Sequence, residues 1–104
     1  MATSPDVLND RISTLFFEVR KSRSLSQQDM AKSLKISQPH LSKIENGQAR
    51  PGVIEWLAFC EVYDVPTELA LEAKEFATFI SALKSAQSRK QGASPADRLQ
   101  KAVS

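Results

Sequence analysis

Residues 25–47 constrain the fold most, because their apolar side chains follow two short helical repeats with an interruption between them. Met30 and Leu34 are spaced for one face of a first helix, and Leu41 and Ile44 for one face of a second. The interruption is only a few residues long. The segment therefore predicts two short helices joined by a tight turn.

Capping residues mark both helices. Ser26 is a good N-cap, and Asp29 three residues later forms a capping box. Ser37 opens the second helix in the same way, with Pro39 in a first turn where proline costs no hydrogen bond. Asn46-Gly47 then ends that helix with residues that tolerate the left-handed conformation. Two separately capped helices this close cannot be one long helix.

The two helices also have the features of a crossing pair. Ala31 is small where the helix axes must approach closely, and Ile36 lies in the turn, where it fills the angle between them. The second helix keeps polar side chains on the face that its apolar residues leave free. This arrangement is a helix-turn-helix, whose second helix lies in the major groove of DNA.

The chain resembles the lambda-repressor-like, Cro-type or XRE family of helix-turn-helix regulators. The resemblance runs from about Ile12 to Leu69 and implies an all-α fold, a five-helix lambda-repressor-like DNA-binding domain. It is carried by Leu25-Ser26-Gln27, Ala31, Ile36-Ser37-Gln38, Ile44-Glu45-Asn46-Gly47 and Arg50-Pro51.

One position departs from the family pattern. The turn residue before Ile36 is usually glycine in the family, and here it is Lys35. A lysine with a positive φ costs about 1 kcal/mol. Either the turn is altered, or packing absorbs the strain.

Composition excludes several classes of function. The chain of 104 residues is long enough for one domain, and no apolar run reaches the length that spans a bilayer. The single Cys60 excludes an intramolecular disulfide and fits a reducing cytoplasm. With one histidine, no paired carboxylates and no phosphate-binding glycine loop, we expect no catalytic site, metal, cofactor or small-molecule ligand.

Charge is unevenly distributed around a formal net charge of +2. From Arg20 to Arg50 there are seven basic residues against two acidic ones, whereas from Val53 to Glu75 there is one basic residue against six acidic ones. The basic segment coincides with the helix-turn-helix, as expected for a surface that contacts phosphates. An ordinary solvated surface can show the same excess of basic residues. The inference of phosphate contacts therefore depends on the coincidence of this excess with the motif.

The rest of the chain divides around this motif. We predict a DNA-binding domain over residues 1–70 with the motif at about 26–46, a helical extension over 71–90 and a disordered tail over 91–104, whose basic residues touch phosphates weakly. Helix one starts at Pro5 and ends near Arg23, helix four covers about 53–63, and helix five starts near Thr67 and ends near Arg89. Helix four is expected to turn Val53, Trp56, Leu57, Cys60 and Tyr63 to the core.

The extension of helix five carries apolar residues at heptad spacing. A small domain has little surface left to cover them, so we expect a homodimer. The alternative is that the helix folds back on its own domain. The predicted dimerisation residues are Phe76, Phe79, Ile80 and Leu83.

DNA contacts are expected from the exposed arc of the second motif helix and from the loop after it. Gln38 is the best candidate for reading a base, because a side-chain amide pairs bidentately with adenine. Lys43 can reach guanine or a phosphate, and Pro39 can make only apolar contact. His40 and Ser42 can donate to bases or backbone, and Asn46, Gln48 and Arg50 are expected along the phosphates.

The family resemblance implies two further roles. Gln27, at a helix N-terminus, would bind a phosphate and set the docking angle. Glu45 would face away from the groove and form a structural ion pair with Arg20 of helix one.

These features predict a sequence-specific regulator that binds double-stranded DNA, a dimeric cytoplasmic repressor reading an inverted-repeat operator through the helix that starts at Ser37. The main alternative is an antitoxin or protein-interaction module whose C-terminal helix binds a different protein. An enzyme is a poor third reading.

Overall fold

The computed structural model describes residues 4–92, with side chains described as far as Ala86. In this part of the chain five α-helices and one short 3-10 turn occur and no strand, which confirms the predicted all-α, five-helix fold. The predictions for residues 1–3 and 93–104 fall outside the described residues. The helices are α1 (Pro5–Ser22), α2 (Gln27–Leu34), α3 (Gln38–Glu45), α4 (Val53–Tyr63) and α5 (Ala73–Gly92), and the 3-10 turn is Leu69–Leu71.

Serine side chains cap the first three helices. Ser4 Oγ accepts a hydrogen bond from the Val7 amide at 3.2 Å, and Ser26 Oγ accepts one from the Asp29 amide at 3.0 Å. Asp29 Oδ2 in turn accepts from the Ser26 amide at 3.4 Å, which completes the predicted capping box. Ser37 Oγ accepts from the His40 amide at 3.2 Å. These caps fix where α2 and α3 begin.

The core is built around α1. Leu15 and Phe16 are fully buried there, as are Leu41 and Ile44 on the inner side of α3. The ring of Phe16 stacks on that of Phe59 from α4, with ring centroids 4.0 Å apart. This packing holds α3 against the scaffold by its apolar side and leaves its polar side outside.

The orientation predicted for α4 is partly wrong. Val53 and Leu57 were expected in the core, but they are 73% and 45% exposed. Phe59, which the sequence analysis did not select, is fully buried. The cause is that α4 is apolar on nearly every side, so its residue spacing fits more than one rotation of the helix.

The start predicted for helix five is also wrong. The chain forms the 3-10 turn, passes through Glu72 in an extended conformation, and only then enters α5. The turn buries Leu69 and Ala70 in the core. Arg11 Nη1 donates to the Ala70 carbonyl at 2.8 Å, which satisfies a backbone acceptor that a continuous helix would have used itself.

α5 packs against its own domain. Ile80 is buried in the core, and Phe76, Phe79 and Leu83 are partly buried against it. The guanidinium of Arg11 also lies over the ring of Phe76, 5.9 Å from its centroid. The expectation that the domain has little surface left to cover these side chains is therefore wrong, and dimerisation through them stays a prediction.

The turn between α2 and α3 keeps its left-handed residue despite the missing glycine. Lys35 has φ 59° and ψ 41°. Its amide donates to the Lys32 carbonyl, and the Ile36 amide donates to the Ala31 carbonyl at 3.0 Å. Lysine therefore takes the left-handed conformation at the position where the family usually has glycine.

Candidate nucleic-acid interface

The outer side of α3 is accessible along its length. Pro39 and Lys43 are exposed, and Gln38, His40 and Ser42 are partly exposed. Beyond the helix the candidate positions Asn46, Gln48 and Arg50 are exposed as well. Each of these side chains keeps exposed surface, so all of them can meet a ligand as large as duplex DNA.

An ion pair connects α3 to α1. Arg20 Nε lies 2.8 Å from Glu45 Oε2, and Arg20 Nη2 donates to Glu45 Oε1 at 3.1 Å. The Glu45 side chain is only 3% exposed. Arg20 Nη1 also donates to the Leu25 carbonyl at 2.9 Å, so one guanidinium braces the end of α3 and the chain entering α2. A bidentate pair of this kind fixes an angle as well as a distance.

Gln27 extends this network toward the outer side of α3. Its Nε2 donates to Glu45 Oε1 at 3.0 Å, and its Oε1 accepts from Gln38 Nε2 at 2.6 Å. Both polar ends of the Gln27 amide are therefore occupied by protein groups. The phosphate contact expected of this side chain would have to break or share one of these bonds.

The same arrangement orients Gln38. Its amide nitrogen is held by Gln27, and among the described residues it has no other hydrogen-bond partner. A continuous series of hydrogen bonds thus connects α1 to the best candidate for base reading. Its four members are Arg20, Glu45, Gln27 and Gln38. The family resemblance implies the Arg20–Glu45 pair. The sequence does not predict the bonds that connect Glu45 through Gln27 to Gln38.

His40 has a partner on α4. Its Nε2 lies 3.1 Å from Glu55 Oε1, an atom that also accepts from the Gly52 amide at 3.0 Å. The hydrogen bond from His40 lowers the pKa of Glu55 from its usual value of 4.5. Partial burial opposes this shift, and the hydrogen bond from the Gly52 amide adds to it. The contact ties the second motif helix to the first turn of α4. Glu55 was missed because only its position three residues after Gly52 signals a capping role.

The C-terminal end of α3 rests on α1. Asn9 Nδ2 donates to the Gly47 carbonyl at 3.3 Å, and Gly47 has φ +76°. A Cβ at this position would lie 3.7 Å from Ser13 Oγ, an ordinary van der Waals contact, so the backbone conformation is what favours glycine. The expectation that Gly47 ends the helix agrees with this geometry. No pattern in the sequence identified Asn9.

The exposed charge around the motif is positive. Glu45, one of the two acidic residues between Arg20 and Arg50, is buried and neutralised by Arg20. Arg50 makes only a loose contact with Asp6, at 3.7 Å between exposed side chains. The basic residues of this segment that remain exposed are Lys21, Arg23, Lys32, Lys35, Lys43 and Arg50.

Three further observations concern metal ligands, the cysteine and membrane spans in the part of the chain that the structure describes. No group of three or more potential metal ligands lies together there. Cys60 is buried, and desolvation, with a smaller effect from the charge of Glu68, raises the pKa of its thiol to about 11. No helix among these residues is both long enough and apolar enough to cross a membrane.

Comparison with known families agrees with the geometry. A family model described as helix-turn-helix matches residues 17–69, just over half of the chain, and includes α2, α3 and α4. No curated protein and no solved structure matches the chain. The family is a DNA-binding, non-enzymatic one. The chain belongs to the XRE/lambda-repressor-like helix-turn-helix family.

Proposed function

We propose that this DNA-binding protein is a sequence-specific transcriptional repressor that acts in the cytoplasm as a homodimer on an inverted-repeat operator. The observation that carries the proposal is the accessible polar flank of α3, held from behind by the Arg20–Glu45 pair. A recognition helix must be both open to the groove and rigid against the scaffold, because base contacts depend on sub-ångström placement.

Base reading is assigned to Gln38 and Lys43. An amide pairs bidentately with adenine, and an ammonium reaches guanine O6 or N7. His40, Ser42 and Pro39 lie on the same flank and supply the remaining groove contacts. The bond from Gln38 to Gln27 supports this assignment, because it limits the orientations that the reading amide can adopt.

Phosphate contacts are assigned to the two ends of the motif. Gln27 stands at the N-terminus of α2, where backbone amides without intrahelical partners attract an anion. Asn46, Gln48 and Arg50 lie exposed after α3, along the path expected for the sugar-phosphate backbone. Such contacts set register and affinity but carry no sequence information.

Selection of bound sequences from random duplex DNA by the full chain tests the proposal. The expected result is a palindromic consensus whose half-sites are about 10 base pairs apart, since two recognition helices enter successive major grooves. Recovery of unrelated sequences that bind no better than the starting pool would contradict it.

The alternative of a protein-interaction module acting through α5 receives less support. Ile80 is buried and its three neighbours on the seam are partly buried within the same domain. A different protein binding there would first have to displace α5 from α1. Stoichiometric co-purification of a second chain that resists high salt would favour this alternative.

A further inference from the structure

The contact between His40 and Glu55 determines which nitrogen of the imidazole carries the hydrogen. His40 Nε2 lies 3.1 Å from Glu55 Oε1, the carboxylate oxygen that also accepts from the Gly52 amide at 3.0 Å. The hydrogen bonds from His40 and Gly52 lower the pKa of Glu55, so the carboxylate is ionised near neutral pH. An ionised carboxylate only accepts hydrogen bonds. Nε2 must therefore be the donor.

The other ring nitrogen of His40 is then a hydrogen-bond acceptor. In neutral imidazole one nitrogen donates and the other accepts, so a hydrogen on Nε2 leaves a lone pair on Nδ1. Nδ1 makes no hydrogen bond within the described residues, and it is not among the polar atoms buried there without a partner. The His40 side chain is 34% exposed. Nδ1 is therefore open to a ligand.

This acceptor lies on the flank of α3 that is assigned to the major groove. His40 is in the first turn of the helix, next to Pro39 and one turn before Lys43, both of which are exposed. Phosphate oxygens are acceptors, so a lone pair on Nδ1 cannot bond to them. In the major groove adenine N6 and cytosine N4 are donors, whereas guanine O6 and thymine O4 are acceptors. The group that matches Nδ1 is an amino group of a base.

We propose that Glu55 sets the base preference of His40 by holding the hydrogen on Nε2, so that Nδ1 accepts from the amino group of adenine or cytosine. Glu55 lies outside the helix-turn-helix and acts through His40, as a positioning residue. The inference deepens the proposed function and rests on it, because it gives one of the groove contacts its hydrogen-bond direction. It replaces the expectation that neutral His40 donates to DNA.

Nuclear magnetic resonance of the ring nitrogens tests the position of the hydrogen. His40 is the one histidine of the chain, so ¹⁵N-labelled protein gives the signals of a single imidazole. At a pH where the ring is neutral, the hydrogen is expected on Nε2. In Glu55→Lys an ammonium, which only donates, replaces the acceptor, so the hydrogen should shift toward Nδ1. A hydrogen on Nδ1 in the parent protein would overturn the proposal.

Selection of bound sequences tests the consequence for DNA. The operator position at which His40→Ala loses its preference is the base that His40 contacts. There the parent should prefer adenine over guanine, or cytosine over thymine, by about three- to ten-fold, the effect of one hydrogen bond. Glu55→Lys should reverse this preference. Glu61→Lys, the same charge change at an exposed glutamate of α4, is the matched control and should keep the preference of the parent.

A modified operator gives the same test without any change at Glu55. The base at that position is replaced by its analogue without the amino group, purine for adenine or pyrimidinone for cytosine. The parent should bind this operator about three- to ten-fold more weakly than the natural one. His40→Ala should bind the two operators alike, which controls for altered base pairing. An equal loss in both proteins would contradict a contact from Nδ1 to the amino group.

The outcomes separate this inference from the proposed function. If His40→Ala keeps every base preference of the parent, or if Glu55→Lys keeps the tautomer or the preference, the inference is wrong although sequence-specific binding stands. A parent preference for guanine or thymine at the His40 position also overturns it. If the parent selects no sequence at all, the proposed function fails and this inference fails with it.

Discussion

Gln27 Nε2 donates to Glu45 Oε1 at 3.0 Å, and Arg20 donates to both oxygens of the same carboxylate. The carboxylate therefore connects α1, α2 and α3 at one point. Because Glu45 is almost completely buried, its charge depends on these two donors for compensation. The angle of the recognition helix is set by this junction together with the apolar packing of Leu41 and Ile44.

Glu45→Ala should lower the free energy of unfolding by about 3 kcal/mol, because it leaves the mostly buried guanidinium of Arg20 without its partner. Urea denaturation followed by circular dichroism measures the change. Glu61→Ala, at an exposed glutamate of α4, is the control and should change stability little. A loss no larger than that of the control would mean that the junction does not hold the helices together.

Lys35→Gly should stabilise the fold by about 1 kcal/mol, because glycine adopts the left-handed conformation of this turn without the steric cost. The same substitution three residues earlier, Lys32→Gly, lies inside α2 and should destabilise by about 1 kcal/mol. Thermal unfolding of both variants checks the opposite signs. Two changes of the same sign would be inconsistent with the strained turn.

Ile80→Ala should destabilise the domain by about 2–4 kcal/mol, since it opens a cavity between α5 and the core. The loss should be independent of protein concentration, because the contact is made within one chain. Urea titrations at two widely separated concentrations measure it, with Ser81→Ala on the exposed side of α5 as the control. A loss that grows on dilution would instead place the seam between two chains.

Glu55→Gln should weaken the first turn of α4 by about 0.5 kcal/mol, because it removes the charged partner of the Gly52 amide and of His40. The pKa of Glu55 is lowered in the folded protein, so its contribution is present above the usual value of 4.5 and is lost as the pH falls through the lower folded value. Stability curves of the two proteins should converge in acid. A difference that stays constant with pH would exclude the ionised carboxylate as its source.

The sequence predicts the helix-turn-helix motif well. It predicts the orientation of α4 and the packing of α5 less well, for physical reasons. Ser26 and Ser37 cap their helices through hydrogen bonds to residues three positions away, so the signal is local. Nothing local distinguishes Phe59 from Leu57 on a helix that is apolar nearly all round. Packing in the folded chain, such as the stacking of Phe59 on Phe16 of α1, decides which side faces inward.

Prediction of the packing of α5 from the sequence is limited in the same way. Heptad spacing of Phe76, Ile80 and Leu83 reports an apolar stripe but not what covers it. The covering surface is α1, whose position depends on the 3-10 turn at Leu69–Leu71 and on the bond from Arg11 to Ala70. Likewise Asn9 meets Gly47 only after the chain has folded, so no spacing rule could pair them.

The reading of bases by α3 is tested most directly by a gel shift at fixed salt, which compares Gln38→Ala with Gln27→Ala on the selected operator and on scrambled DNA. Gln38→Ala should lose about 1–3 kcal/mol of binding free energy on the operator and little on scrambled DNA. It should also lose the preference for one base at one position of the operator. Gln27→Ala should weaken binding to both DNAs, because a phosphate contact is lost, and somewhat more to the operator, because Gln38 loses the bond that orients it. Equal losses for Gln38→Ala on operator and scrambled DNA would contradict the assignment of the recognition flank.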